Sequence, residues 1–251
     1  MKFSAIIFTS FVLFLHMQGN LSAQNGQIVD TAHVHENQGI YLPEYYIETL
    51  SETKSHMQAS NTFYKLPNNN GNIAIIVLED RITFVYNFHE SVERDIAEVN
   101  GNELIMEPRF PNDETKLLID GNTIITEGKI TFVNVNKDLD NWNSAIISYI
   151  TDIIFGNGFF QSESGDNIFR TENGNITIGN TEHELESETM WYNPEYDVLV
   201  HREDGRSDYV FFRRYGDTLN IYAFEGEMAD GPQWARFGKY TLVDEYRKIT
   251  E

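Results

Sequence analysis

The chain has 251 residues, 41% hydrophobic and 13% aromatic, enough apolar material for a buried core and too much for global disorder. A net charge of −21 repels phosphate backbones and anionic lipid surfaces, so nucleic acid and membrane-surface partners are excluded. The absence of cysteine excludes disulfides, thiolate catalysis and thiolate metal centres.

Residues 1–23 have the layout of a secretory signal peptide. Lys2 gives a basic start, Ala5 to Leu15 is an uncharged apolar run, and Leu21-Ser22-Ala23 ends in a small residue. The run is well short of the ~20 residues a membrane-spanning helix needs, so cleavage after Ala23 and a secreted or periplasmic location are expected.

Residues 24–39 are polar and without periodicity and read as a flexible N-terminus. Pro43 suits a first helical position, and Tyr46, Leu50, Thr53 and Met57 follow at helical spacing, predicting one helix over 43–57. Asn68 to Asn72 marks a loop. Strand-like runs follow: Ile73 to Leu78, Ile82 to Phe88, Glu103 to Met106, Leu117 to Ile119, Thr123 to Thr126 and Ile130 to Val135. Between them, Asn100-Gly101, Asp120-Gly121 and Glu127-Gly128-Lys129 read as hairpin turns, since such residues tolerate positive φ.

A second helix is predicted over 144–154, capped by Asn143 or Ser144 and stopped by Gly156. Strands resume at Phe159-Phe160, Asn167 to Arg170, Ile176 to Ile178, Met190 to Tyr192, Tyr196 to His201, Asp208 to Arg214, Thr218 to Phe224 and Tyr240 to Asp244. Many short strands at meander spacing predict an all-β fold: an antiparallel meander barrel with one or two accessory helices. The halves share a weak likeness, helix then hairpins, too slight to count as a repeat. A single barrel domain over 40–251 is the expectation.

Gly158-Phe159-Phe160, Asn167-Ile168-Phe169-Arg170 leading to Asn173-Gly174-Asn175-Ile176, Tyr209-Val210-Phe211-Phe212 and Gly216-Asp217-Thr218-Leu219-Asn220-Ile221-Tyr222 together resemble lipocalin-like domains of secreted bacterial proteins, over about 143–246. The resemblance implies a calycin-type barrel and a binding or accessory role more than catalysis. It also implies that Phe160 stands where lipocalins carry Trp, beneath a late Arg that is Arg236 or Arg247.

Several constellations read as incidental. His33-x-His35 lacks a third metal ligand nearby, and Asp138-x-Asp140 lacks the glycine and distal glutamate of a calcium loop. His183 with Glu184 and Glu186, and separately His201 with Glu203 and Asp204, read as surface turns in an acid-rich chain. No nucleophile elbow or phosphate loop is present, so no catalytic residue, cofactor or metal is assigned.

Trp191, Tyr209, Phe211, Arg213, Ile221 and Tyr222 are the candidate ligand-binding residues, with Phe211 pointing into the barrel and Arg213 as a polar tether. The helix at 144–154 would cover the outer face of that hairpin. The leading expectation is a secreted, non-catalytic protein that binds a small apolar or amphipathic ligand. A protein-interaction or inhibitor-type module with a filled barrel is the alternative, and a carbohydrate-directed hydrolase is third. Composition says nothing about oligomeric state.

Overall fold

The computed structural model describes residues 31–249 apart from 68, 70, 88–89, 109–113, 138, 157–158, 171–173, 187–194 and 226–237. The protein is all-β with four helices among the described residues, and its strands close into two eight-stranded antiparallel barrels. Where one barrel was expected over 40–251, the sheets divide in two. The likeness between halves set aside above is the outline of this architecture, helix first and then a barrel.

The first half opens with helix α1 (Thr31–Glu36) and strand β1 (Gly39–Pro43). The supposedly flexible stretch therefore ends in ordered structure, because Val34 supplies an apolar anchor and is fully buried. Pro43 ends β1, and the predicted helix follows as two: α2 (Glu44–Thr53) and α3 (His56–Phe63). The break is Lys54, left-handed at φ 53°, and Ser55 restarts the helix by accepting the Gln58 N–H at 3.1 Å.

The barrel then runs through β2 (Ala74–Val77), β3 (Arg81–Asn87), β4 (Glu90–Asn100), β5 (Glu103–Met106), β6 (Lys116–Asp120), β7 (Thr123–Thr126) and β8 (Thr131–Asn136), which pairs back onto β1. The hairpin at Asp120-Gly121 turns as expected, with Gly121 at φ 59°, where a Cβ would be disfavoured. Tyr41, Ile75, Val77, Ile82, Phe84, Leu104, Leu117, Ile119, Ile124 and Phe132 fill the interior together with Val34.

Strand β4 was not anticipated. Its sequence ESVERDIAEVN is dense in charge, and an inward position is taken by Arg94, opposite Ile82. Arg94 is tolerated there because its guanidinium lies over the Phe84 ring at 5.3 Å and donates to the Glu114 carbonyl at 2.8 Å.

Helix α4 (Trp142–Phe155) leads into the second half. It is capped by Asn141, two or three residues before the expected cap, and stopped by Gly156. The second barrel comprises β9 (Phe159–Ser162), β10 (Asn167–Arg170), β11 (Ile176–Ile178), β12 (Thr181–Leu185), β13 (Asp197–Glu203), β14 (Arg206–Tyr215), β15 (Thr218–Glu225) and β16 (Lys239–Ile249), closed by β16 against β9. Strand β12 (TEHEL) was read as turns because its outward glutamates mask the inward His183 and Leu185. Of the remaining expectations, the strand at Met190 to Tyr192 lies outside the described residues.

Inward residues of β9 to β16 form one apolar cluster: Phe160, Ile168, Ile176, Leu185, Leu199, Phe212, Leu219 and Tyr246, with Val210 and Ile221 packed against it. Helix α4 joins this cluster through Ile146, Ile150, Ile154 and Phe155. Phe155 touches Phe160 and Phe212, at ring-centre distances of 6.2 and 5.4 Å. The helix therefore packs against inward residues and does not cover the outer face of the β14–β15 hairpin. A Cβ on Gly174, between β10 and β11, would come 3.1 Å from Ser148, so glycine allows this hairpin to close on α4. The same cluster reaches Ile40, Leu42, Ala74, Ile76 and Val85 on the outer face of the first barrel, joining the halves in one core.

Candidate functional site

The β14 register decides the fate of the candidate residues. Phe212 pairs with Ile221 and Phe211 with Tyr222, so neighbours alternate between lumen and exterior. Phe212 belongs to the lumen and Phe211 to the outer face, the reverse of the expected orientation. Ile221 is inward. Tyr209, Phe211, Arg213 and Tyr222 come together outside, and Trp191 lies outside the described residues.

The outer face is an aromatic cluster that the sequence reading only partly gathered. Tyr196 stacks on Tyr240 at 4.0 Å and meets Tyr222 edge-on at 4.9 Å. Phe211 meets Tyr240 at 5.0 Å and Phe224 at 5.9 Å. Arg213 lies over the Tyr196 ring at 4.1 Å and donates to the Glu195 carbonyl at 2.6 Å and to the Tyr215 hydroxyl at 3.1 Å. Met57 of α3 and Val198 floor the cluster beneath Phe211. Tyr215 and Leu242 extend it to the surface at 54% and 50% exposure, and the bulged neighbour Val243 stands at 58%. Burial raises the Tyr196 and Tyr240 hydroxyls above the usual phenol range, so both stay neutral at physiological pH. Tyr196, Phe224 and Tyr240 were not among the candidates; the ladders of β13 to β16 bring them against Phe211 and Tyr222.

Inside the barrel, Arg214 lies over Phe160 at 5.3 Å. Of the two expected arginines, Arg247 is exposed and paired with Glu245, and Arg236 lies outside the described residues.

A buried polar knot ties α3 to the second barrel. The Asp197 carboxylate, at the start of β13, accepts the Met57 N–H at 2.8 Å, and Ser55 and the His56 N–H also bond to it. The Tyr46 hydroxyl and His56 Nδ1 lie 2.6 Å apart. Burial pushes Asp197 up to about 7, against the pull of its three donors, and holds the Tyr46 phenol well above its ordinary value. This knot joins the two halves, and all its members are buried, so it offers a solvent-borne substrate no access.

A separate concavity of about 480 Å³ lies on the first half between α2 and the β7–β8 turn, lined by Glu44, Tyr45, Glu48, Leu66, Lys129 and Ile130 among others. None of the candidate residues borders it. No helix among the described residues is long and apolar enough to cross a membrane.

Compared with family models, curated proteins and solved structures, the chain finds no match.

Proposed function

We propose that this is an exported, non-catalytic accessory module that recognises another protein through the aromatic outer face of β13 to β16. The carrying observation is the cluster of Tyr196, Tyr222, Tyr240, Phe211 and Arg213 outside the barrel, rimmed by exposed Tyr215 and Leu242. Tyr and Arg are the side chains that dominate protein-recognition hot spots, since they offer large area with a polar edge. The signal-like layout of residues 1–23 supports export. The lipocalin-like resemblance and the eight-stranded barrels support a binding role. Continuous inward packing that includes α4 favours this surface over a ligand held in the lumen.

Leu242→Glu is chosen because the side chain is half exposed, so the fold should tolerate it. Tyr45→Glu, on an exposed position of α2, is the control. Co-purification from the host's envelope and medium should yield a stoichiometric protein partner with the native chain and the control, and not with Leu242→Glu. A partner retained by Leu242→Glu overturns the reading. An apolar fluorophore that saturates the native chain one to one, and fails to bind Phe212→Ala, would place the site in the lumen instead.

A further inference from the structure

Two histidines that look unrelated in sequence meet inside the mouth of the second barrel remote from α4. The ladder between β12 and β13 pairs Glu184 with Val200 and Leu185 with Leu199, which carries His183 opposite His201. Their ring centres are 5.7 Å apart. On the next strand Asp208 pairs with His201, continuing an inward row of His183, His201 and Asp208 across three strands.

Both rings are anchored by the same atom. His183 Nδ1 donates to the Thr181 carbonyl at 3.1 Å, and His201 Nδ1 donates to the Glu182 carbonyl at 2.7 Å. A donating Nδ1–H leaves Nε2 as the basic nitrogen, which is how backbone carbonyls orient metal-ligating imidazoles. His201 Nε2 lies 3.6 Å from Glu203 Oε2. Two ligand atoms on a tetrahedral ion with bonds of ~2.0–2.1 Å sit about 3.3 Å apart, and two imidazoles on it have ring centres about 5–6 Å apart. Both spacings are near those observed.

We propose that His183, His201 and Glu203 bind a divalent transition ion of the zinc type at this mouth, with Asp208 as the further carboxylate beside it. Glu184 and Glu186 of the first motif take no part: both are engaged by Arg202, with Glu186 Oε2 at 2.9 Å from the guanidinium. Among the described residues no three ligating side chains are already gathered around one point, so the ion draws Glu203 and the imidazoles together on binding. The row is independent of the aromatic outer face, so either can fail without the other.

Calorimetric titration of the metal-free native protein with Zn²⁺ at neutral pH should show one equivalent bound. Cobalt substituted for zinc should give the visible absorption of a four-coordinate ion. His201→Asn, at a side chain 25% exposed, should fold normally and weaken zinc by ~100-fold or more. Zinc should raise the melting temperature of the native protein and leave that of His201→Asn unmoved. His183→Gln is the second variant. A double His33→Ala, His35→Ala chain controls for the histidines of the N-terminal segment and should bind as the native protein does. No binding by the native protein overturns the proposal, as does binding retained in His201→Asn or lost with the N-terminal pair.

Discussion

Phe212→Ala should lower stability by about 3–5 kcal/mol in urea melts, the range for truncating a fully buried Phe. The side chain is 0% exposed, packs on Phe155 of α4 at 5.4 Å and faces Ile221 across the ladder. Its loss opens a void at the point where helix and barrel meet, and rigid strands cannot collapse to fill it. Phe211→Ala should cost at least about 1 kcal/mol less. Phe211 is equally hidden, but Tyr209, Tyr222, Phe224 and Tyr240 around it are half-buried and free to close over the gap. The reverse order would return Phe211 to the lumen and move the aromatic face inside.

Stability should also fall as pH rises from roughly 5 to 8, and Asn at position 197 should remove most of that slope. In the unfolded chain Asp197 titrates near the ordinary aspartate value of about 3.8, and in the fold burial raises it to about 7. The native state thus holds the proton more tightly. The contribution is fully present below about pH 4 and is lost as pH climbs through 7. The full swing is on the order of 4 kcal/mol, at about 1.4 kcal/mol per pKa unit. The Tyr46 phenol feels the same carboxylate and stays protonated throughout the window because burial raises it. Comparing urea midpoints of the native protein and Asp197→Asn across this range isolates the one carboxyl from the acidic background. Parallel curves would mean that the three donors, Met57 N–H, His56 N–H and Ser55, already hold the carboxylate ionised.

The elements legible in the sequence were those whose energetics are local. Asp120-Gly121 and Gly216-Asp217 turn where expected because the residue at positive φ is determined by its own backbone sterics. Helix α4 was found to within two residues, since its inward isoleucines and its Gly156 stop all lie within one stretch of chain. The all-β antiparallel class followed from such signals. Strands β4 and β12 escaped because each places a polar side chain inward, Arg94 and His183, and so breaks the alternation that announces a strand. Each is accommodated by a partner distant in sequence: Glu114 for Arg94 and His201 for His183.

Composition and local pattern alone thus determined the acidic, cysteine-free character, the turns, most strands and the meander. Tertiary structure decided the rest. Closure into two barrels depends on β1 meeting β8 and β9 meeting β16, pairings across the whole length of each half that no local preference encodes. Val210, Phe211 and Phe212 are apolar on both faces of one strand, so hydrophobicity could not say which face is lumen; the ladder register did. The two histidine motifs are joined only by the β12–β13 ladder, and Tyr196, Tyr222 and Tyr240 become one surface only when β13 to β16 lie side by side. A site built across strands exists only once those strands have paired, which is why its parts can be read in the sequence while the site itself cannot.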